Sequence, residues 1–516
     1  MQNDYLERVY AGFLGMNVGI RLGAPVEPTI WTYERIKETS GDIRHYVKDY
    51  KNFAADDDVN GPVYFFRALR DSSQRGELTP QYVAKAWLNY AREGIGLYWW
   101  GGYGVSTEHT AYINLAHGIP APLSGSATTN GKLLAEQIGG QIFIDTWGLI
   151  WPGRPDKAAD YAQAAASVSH DGEGLYGARF IASCIAQAFC ERDIYQVVER
   201  ALEEIPSESL YAQVSRAVIA HHQKHPEDWE SCLKMLHRDW GYDKYGGGCH
   251  IIPNAGVCVL ALVYGAGDFN RTVEIATMCG WDTDCNAGNV GTILGVLTGL
   301  DGIADHYRAP VNDGVVLSGI SGYLNILDLP TYSKELARTG YALAGEEIPE
   351  ILKETDGELH FDFELPGSTH NFRTSDSFFL PLRHSEERAF QGRGSLEVLV
   401  DRMIRGNRAR IYYKPFYTRA DFSDERYKPV FSPQVYSGQT LEMQVFFDQW
   451  AGWDSIFVSP YFRTMSDQKI HTHGFLKIKP GEWQKVSCVI EDIQGDLIDE
   501  VGLVIEGDTP STVKTL

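Results

Sequence analysis

Basic residues are in short supply. Lys and Arg number 46 against 68 Asp and Glu, a formal net charge of −22. Nucleic acid and anionic membrane both need a basic face, so neither is expected as a partner. A phosphorylated small molecule held locally by cations is not excluded. Long apolar runs are also missing. The most apolar stretch, around Gly256 to Tyr264, is far too short to span a bilayer. The opening residues Met1 to Glu7 carry neither a basic patch nor an apolar run. No secretory signal is visible there, and a cytoplasmic location is expected. Paired cysteines are missing too. The eight cysteines, at 184, 190, 232, 249, 258, 279, 285 and 488, form no C-x-x-C spacing, and most lie among apolar neighbours. Reduced, buried thiols fit that pattern better than a disulfide frame or a zinc site. The sequence has no internal repeat and no low-complexity tract. What remains is an ordinary balance of 44% hydrophobic and 22% charged residues over 516 positions, enough for about two to four domains.

The acids are not evenly spread. Cys279-Gly-Trp281-Asp282-Thr283-Asp284-Cys285 places two aspartates two apart in a turn. A helical pattern follows, with Val290, Ile293, Leu294 and Leu297 on one stripe. Gly288, Gly291 and Gly295 give that helix a smooth face that another helix can approach closely. The carboxylates therefore stand at a helix N-terminus, where anions are favoured. Two fixed carboxylates also favour a hard cation. A plain N-cap role for Asp284 is the simpler reading of this motif alone. A second cluster far upstream changes the weighing. Asp56-Asp57-Asp58 precedes another helical pattern and is flanked by Phe53-Ala-Ala and Val59 instead of a polar linker. Three carboxylates beside apolar residues cost free energy unless a cation or donors compensate. If the two clusters meet, they offer the oxygen-rich ligation that magnesium, calcium or manganese prefers.

Residues 4–19 read as a helix with the stripe Leu6, Val9, Tyr10, Phe13 and Leu14, and with Gly12, Gly15 and Gly19 implying tight packing. Glu27 follows on a loop stiffened by Pro25 and Pro28; taken alone it is a solvated loop acid. Helices are expected over 79–95, 155–168, 175–190, 192–225, 227–237 and 255–265, with shorter helical segments to about 344. Between them lie loops rich in glycine and aromatics. The loop with Gly102, Tyr103 and Gly104 either brings backbone amides to a ligand or is a structural turn. His170 lies in a helix–helix turn and, by itself, reads as structural. Asn254, at the end of the glycine-rich loop from Tyr245, and Trp281, beside Asp282, join these as candidate substrate contacts.

After about residue 358 the period changes to two. Leu359, Phe361 and Phe363, then Leu441, Met443 and Val445, then Val501, Leu503 and Ile505, alternate with polar residues. An antiparallel β-sandwich of the jelly-roll kind is expected there. The chain is thus read as multidomain α + β: an all-α region over 1–344, a linker over 345–357 and a sandwich over 358–516. Tyr436, Trp450, Trp453 and Trp483 are either sugar-stacking platforms or packing residues. A last strand near 512–516 is expected to be absent or irregular.

The order Gly15-x-x-x-Gly19, Gly23-Ala-Pro-Val-Glu27, the acidic triplet, Ser169-His170 and Gly280-Trp-Asp282-Thr-Asp284 resembles the ADP-ribosylglycohydrolase family. These are metal-dependent helical hydrolases that include the dinitrogenase reductase-activating glycohydrolase. The resemblance implies that Asp56, Asp57, Asp282 and Asp284 hold one or two divalent cations, magnesium first, with manganese or calcium as alternatives; Asp58, the third carboxylate of the cluster, joins the candidate ligands. It implies acid/base work for Glu27 or a metal-adjacent aspartate such as Asp57, and places His170 near the ligand. Four positions depart from the family pattern. Ala55 and Asp58 stand where threonines flank the aspartate pair, so that Asp58 is an extra carboxylate; Cys285 stands where threonine follows the Asp-x-Asp, and Ile20 where aspartate follows glycine. The region after 358 resembles modules appended to carbohydrate-active enzymes, notably at Gly481-Glu-Trp483. The expected activity is hydrolysis at the anomeric carbon of a ribose-like sugar. A glycoside or nucleoside substrate on the same scaffold is the close alternative, and a ligand-binding protein with a degenerate site the more distant one. A small-molecule or carbohydrate partner is implied in each case.

Overall fold

The structure is a computed structural model that describes residues 1–508 apart from 28–29, 73–77, 354–356, 401–402, 424–426 and 449–455. Helices dominate up to Ala344. Those that position the acids are α1 (Tyr5–Gly23), α2 (Asp57–Asp71), α3 (Thr107–Ala116), α4 (Glu173–Ala188), α5 (Ile251–Gly265), α6 (Thr283–Thr298) and α7 (Leu329–Ala344). No described helix is long and apolar enough to cross a membrane.

α1 runs past the predicted end at residue 19, because Ile20 and Leu22 are as buried as its central residues. α1 and α6 are both buried nearly all round, the condition for a central core helix. Glycines let them touch backbone to backbone. A Cβ on Gly15 would stand 2.2 Å from the Gly291 carbonyl oxygen, and one on Gly19 2.0 Å from that of Ala287. At the end of this seam Thr283 Oγ1 donates to the Gly23 carbonyl at 2.9 Å. The contact fixes the C-terminus of α1 against the N-terminus of α6. The loop leaving α1 therefore delivers Glu27 to Asp282 and Asp284.

One stretch expected to be helical is not. Gly314–Val316 (β1) and Ile326–Asp328 (β2) pair antiparallel. The adjacent β-branched residues Val315 and Val316 favour extended backbone. Asp328 then turns the chain into α7 by accepting from Thr331 N. This hairpin also holds the first acidic cluster: Ala55 N donates to the Val316 carbonyl at 2.8 Å.

Beyond α7 the chain is β-rich. The strands are β3 (Arg373–Thr374), β4 (Leu382–Ser385), β5 (Ser395–Val398), β6 (Arg408–Tyr413), β7 (Thr440–Phe446), β8 (Ile456–Thr464), β9 (Ile470–Thr472), β10 (Leu476–Ile478), β11 (Trp483–Val489) and β12 (Ile498–Gly507). They lie in separate sheets. One has six strands in the order β10-β8-β12-β6-β3, with β9 also on β8; the others are the pairs β11-β7 and β4-β5. β12 and β8 are buried along nearly their whole length, as central strands are. Residues of all three sheets, apolar and charged, line a cavity of about 1720 Å³. Tyr436 is 53% exposed, and Trp483 packs against Phe446 and Phe390. Trp450, Trp453 and residues 512–516 fall outside the described residues.

The helical and β regions share a core. Val316 and Ile326 of the β1–β2 hairpin cluster with Tyr413, Tyr417, Phe422, Phe462 and Val501. A buried ion group lies beside it. His370 Nδ1 stands 2.9 Å from Asp328 Oδ1, and its Nε2 lies 3.6 Å from Asp362. Burial alone would depress the imidazolium. Asp328, Asp362 and Asp313 outweigh that and raise His370 to about 9.

Candidate functional site

Two helix N-termini and one helix C-terminus converge. α2 begins at the first acidic cluster, with Asp56 in the N-cap position; α6 begins at the second, with Asp282 in that position. Neither aspartate makes a side-chain capping bond, so neither carboxylate is spent as an ordinary cap. Asp284 Oδ1 accepts from the next amide, Cys285 N, at 3.0 Å. Three sets of potential ligand atoms each lie within 4.8 Å of one another: Asp56, Asp57 and Asp58; Asp58, Asp284 and Cys285; Glu27, Asp282 and Asp284. Asp58 and Asp284 are shared between sets, so the two sequence clusters and Glu27 form one continuous patch.

Local backbone prepares this patch. Gly280 and Trp281 both have positive φ, 73° and 65°, an uncommon conformation for a bulky residue. Trp281 is held there by His237 and Tyr242, with ring centroids 4.6 and 5.1 Å away. Asn60 braces the first cluster: its Nδ2 donates to Ser318 Oγ, and its Oδ1 accepts from Ser318 N.

The electrostatics are those of crowded anions. Burial raises the Asp57 carboxyl well above its usual range; Asp56, Glu108 and Glu27 push the same way, while the Tyr427 hydroxyl opposes them. Burial also raises Asp58, with Asp56, Asp57 and Asp282 adding to it and a Cys285 hydrogen bond opposing. Asp284 is raised by burial, then by Glu27, Asp58, Asp56 and Asp282. Asp282 Oδ1 is buried with no hydrogen-bond partner among the described residues. Buried carboxylate oxygens left in this state are costly unless a cation or proton compensates. The donor set is almost all carboxylate oxygen, which suits a hard divalent ion. The residues therefore fit the metal implied by the sequence.

The candidate substrate contacts fall into two groups. His170 is buried beside the patch. Its Nδ1 meets Ser169 Oγ at 2.7 Å, and its Nε2 lies 3.9 Å from Glu108 Oε1. Burial lowers it to about 3, so at neutral pH it is an uncharged ring. Trp281 flanks the aspartates and is 8% exposed. The others are committed within the protein. Gly102 N donates to His109 Nδ1, and Gly104 N to Thr110 Oγ1. Side chains of α3 take both amides, as in the structural-turn reading of this loop. The Tyr103 hydroxyl donates to Asn114, and its ring is exposed. Asn254 is buried, donating to Tyr242 and the His250 carbonyl while accepting from Asn286 of α6. It buttresses the Asp-x-Asp turn.

Three neighbours of the acids were not singled out in the sequence. Glu108, in the first turn of α3, is buried and raised by that burial; it acts electrostatically on Asp57 and is acted on by Asp282. A Cβ on Gly139 would fall 2.3 Å from its Oε1, so glycine is needed there to admit it. Burial keeps the Cys249 thiol protonated, and the charge of nearby Asp282 adds to that. Tyr427 reaches in from the β region and donates its hydroxyl to Asp57 Oδ1 at 2.9 Å.

Comparison with known proteins gives one family. Residues 1–335 match the family model described as ADP-ribosylglycohydrolase. A solved structure titled "ADP-ribosylglycohydrolase-related protein complex" aligns at 17% identity with a TM-score of 0.42, covering 66% of this chain and 100% of its own. A search of curated proteins returns no match.

Proposed function

We propose that this chain, which belongs to the ADP-ribosylglycohydrolase family, is a divalent-metal-dependent hydrolase of a glycosidic bond at a ribose-like sugar. The observation that carries the metal-dependent part is the continuous acidic patch, in which a buried Asp282 oxygen has no hydrogen-bond partner among the described residues. Asp56, Asp57, Asp58, Asp282 and Asp284 would hold one or two cations, with magnesium, manganese and calcium all suited to the oxygens. A bound cation of this kind supplies Lewis-acid polarisation and orientation of sugar oxygens. The chain's own groups do the rest. Glu27 lies among the acids and moves a proton to or from the reacting oxygen. Asp57, held by Tyr427, is the second acid/base candidate. Neutral His170 and the Trp281 ring wall the site without adding charge beside an oxocarbenium-like transition state.

A second reading keeps this chemistry and changes the substrate to a glycoside or nucleoside that is not ADP-ribose. Tyr427 favours it, because the β region contributes a group bonded directly to one of the acids. Rates on an ADP-ribosylated peptide and on a simple aryl riboside, measured with manganese or magnesium, separate the two. Asp56→Asn and Asp284→Asn should abolish whichever activity is found. Unchanged turnover in both variants would refute the metal-site assignment.

A further inference from the structure

We propose that a cavity at the junction of the helical and β regions is a binding site for a small oxyanion of the phosphate or sulfate type. None of the clustered acids lines it, and it stands apart from the hydrolytic reading above. Its volume is about 240 Å³, below the roughly 300–1,000 Å³ usual for drug-sized ligands. That size suits a tetrahedral ion with a little water and excludes a whole dinucleotide.

Its walls are cationic in a protein of net charge −22. Arg21 comes from α1, Lys51 and Asn52 from the segment leading to Asp56, and Asn371 and Arg373 from the start of the β region. Arg21 is only 8% exposed. Its Nη1 donates to the Pro310 carbonyl at 2.7 Å, while its Nε is buried with no hydrogen-bond partner among the described residues. Its guanidinium lies over the rings of Tyr46, Tyr50 and Phe53. Burial lowers its affinity for the proton, and Asp49 acts against that from beyond ion-pair range. Arg373 is held by Asn52 Oδ1 at 2.6 Å, Asn371 Oδ1 at 3.1 Å and the Tyr417 hydroxyl at 3.2 Å, all through Nη2. These neutral acceptors orient the fork without cancelling its charge. Lys51 Nζ donates to the Ala420 carbonyl. None of the three cations forms an ion pair among the described residues. A buried guanidinium without a counter-charge is costly, and planar arginine forks match tetrahedral oxyanions well.

The test is calorimetric titration of the full chain with inorganic phosphate, and separately with sulfate. Ionic strength is held constant, and EDTA is present so that no metal at the acidic patch captures the anion. One saturable site per chain is expected. Arg373→Gln should weaken it at least tenfold, Arg373→Lys should recover part of the loss, and Lys51→Gln should weaken it less. Circular dichroism and thermal unfolding establish that each variant folds; if Arg373→Gln does not, Lys51→Gln carries the test. ADP-ribose, too large for the cavity, should leave the phosphate isotherm unchanged. No saturable binding of either anion, binding indifferent to the folded variants, or displacement by ADP-ribose would each overturn the proposal.

Discussion

Replacing Asp284 by asparagine removes one charge from a crowd. Because its folded carboxyl is raised above the unfolded value, its stabilising contribution is complete at low pH and lost as pH rises through the folded value. At neutral pH without metal, Asp284→Asn should therefore stabilise the protein, by about 1–3 kcal/mol for relief of buried like charges, while metal binding and turnover collapse. Thermal unfolding in EDTA beside initial rates checks both; an asparagine variant less stable without metal would contradict the electrostatics. Tyr427→Phe removes a hydrogen bond to a carboxylate, worth roughly 1.5–3 kcal/mol. The expected loss in kcat/KM is about 10- to 100-fold, with a modest fall in the unfolding temperature. At this scale the acids are legible in the sequence because their flanks are apolar and their order is diagnostic. Tyr427 is not: it lies 370 positions from Asp57, and no local motif announces a residue that acts across that span. Glu108 is hidden for a different reason. The loop before it suggests amides for a ligand, and the structure turns two of those amides into α3 while the carboxylate faces the acids.

The element that matters most is the α1–α6 seam. Gly19→Ala would place a methyl 2.0 Å from the Ala287 carbonyl, where backbone cannot easily yield. Overpacking of this kind costs about 1–3 kcal/mol, and parting the helices also separates Glu27 from Asp282. Differential scanning calorimetry should show the loss together with weakened metal binding, whereas Gly41→Ala, in open space, should leave metal binding intact. Glycine spacing on both helices makes this seam legible in the sequence itself. The β1–β2 hairpin is not, because three-residue strands carry too little alternation to stand out from helical surroundings.

On the scale of the whole molecule, the β region completes the helical one. Val316 and Ile326 lie in a core with Tyr413 and Phe422, so a chain ending at Ala344 would expose apolar surface and should aggregate or melt earlier, as light scattering and thermal unfolding would show. His370 ties the regions together through charge. Its folded value of about 9 lies above the ordinary 6.5. The stability it contributes is complete below pH 6.5 and is lost as pH rises through about 9; the difference corresponds to about 3 kcal/mol. Unfolding free energy measured from pH 6 to 10 should fall accordingly, and His370→Gln should flatten that fall. A change from period 3.6 to period 2 reveals the β region in the sequence. How its strands divide into sheets depends on long-range pairing, which periodicity does not encode.

Manganese titration of the full chain, followed by electron paramagnetic resonance, addresses the acidic patch most directly. Tight, saturable binding of one or two ions, lost in Asp56→Asn and in Asp284→Asn while both variants remain folded, is the predicted result. Binding no tighter than to an exposed acidic surface, and unchanged in those variants, would contradict it.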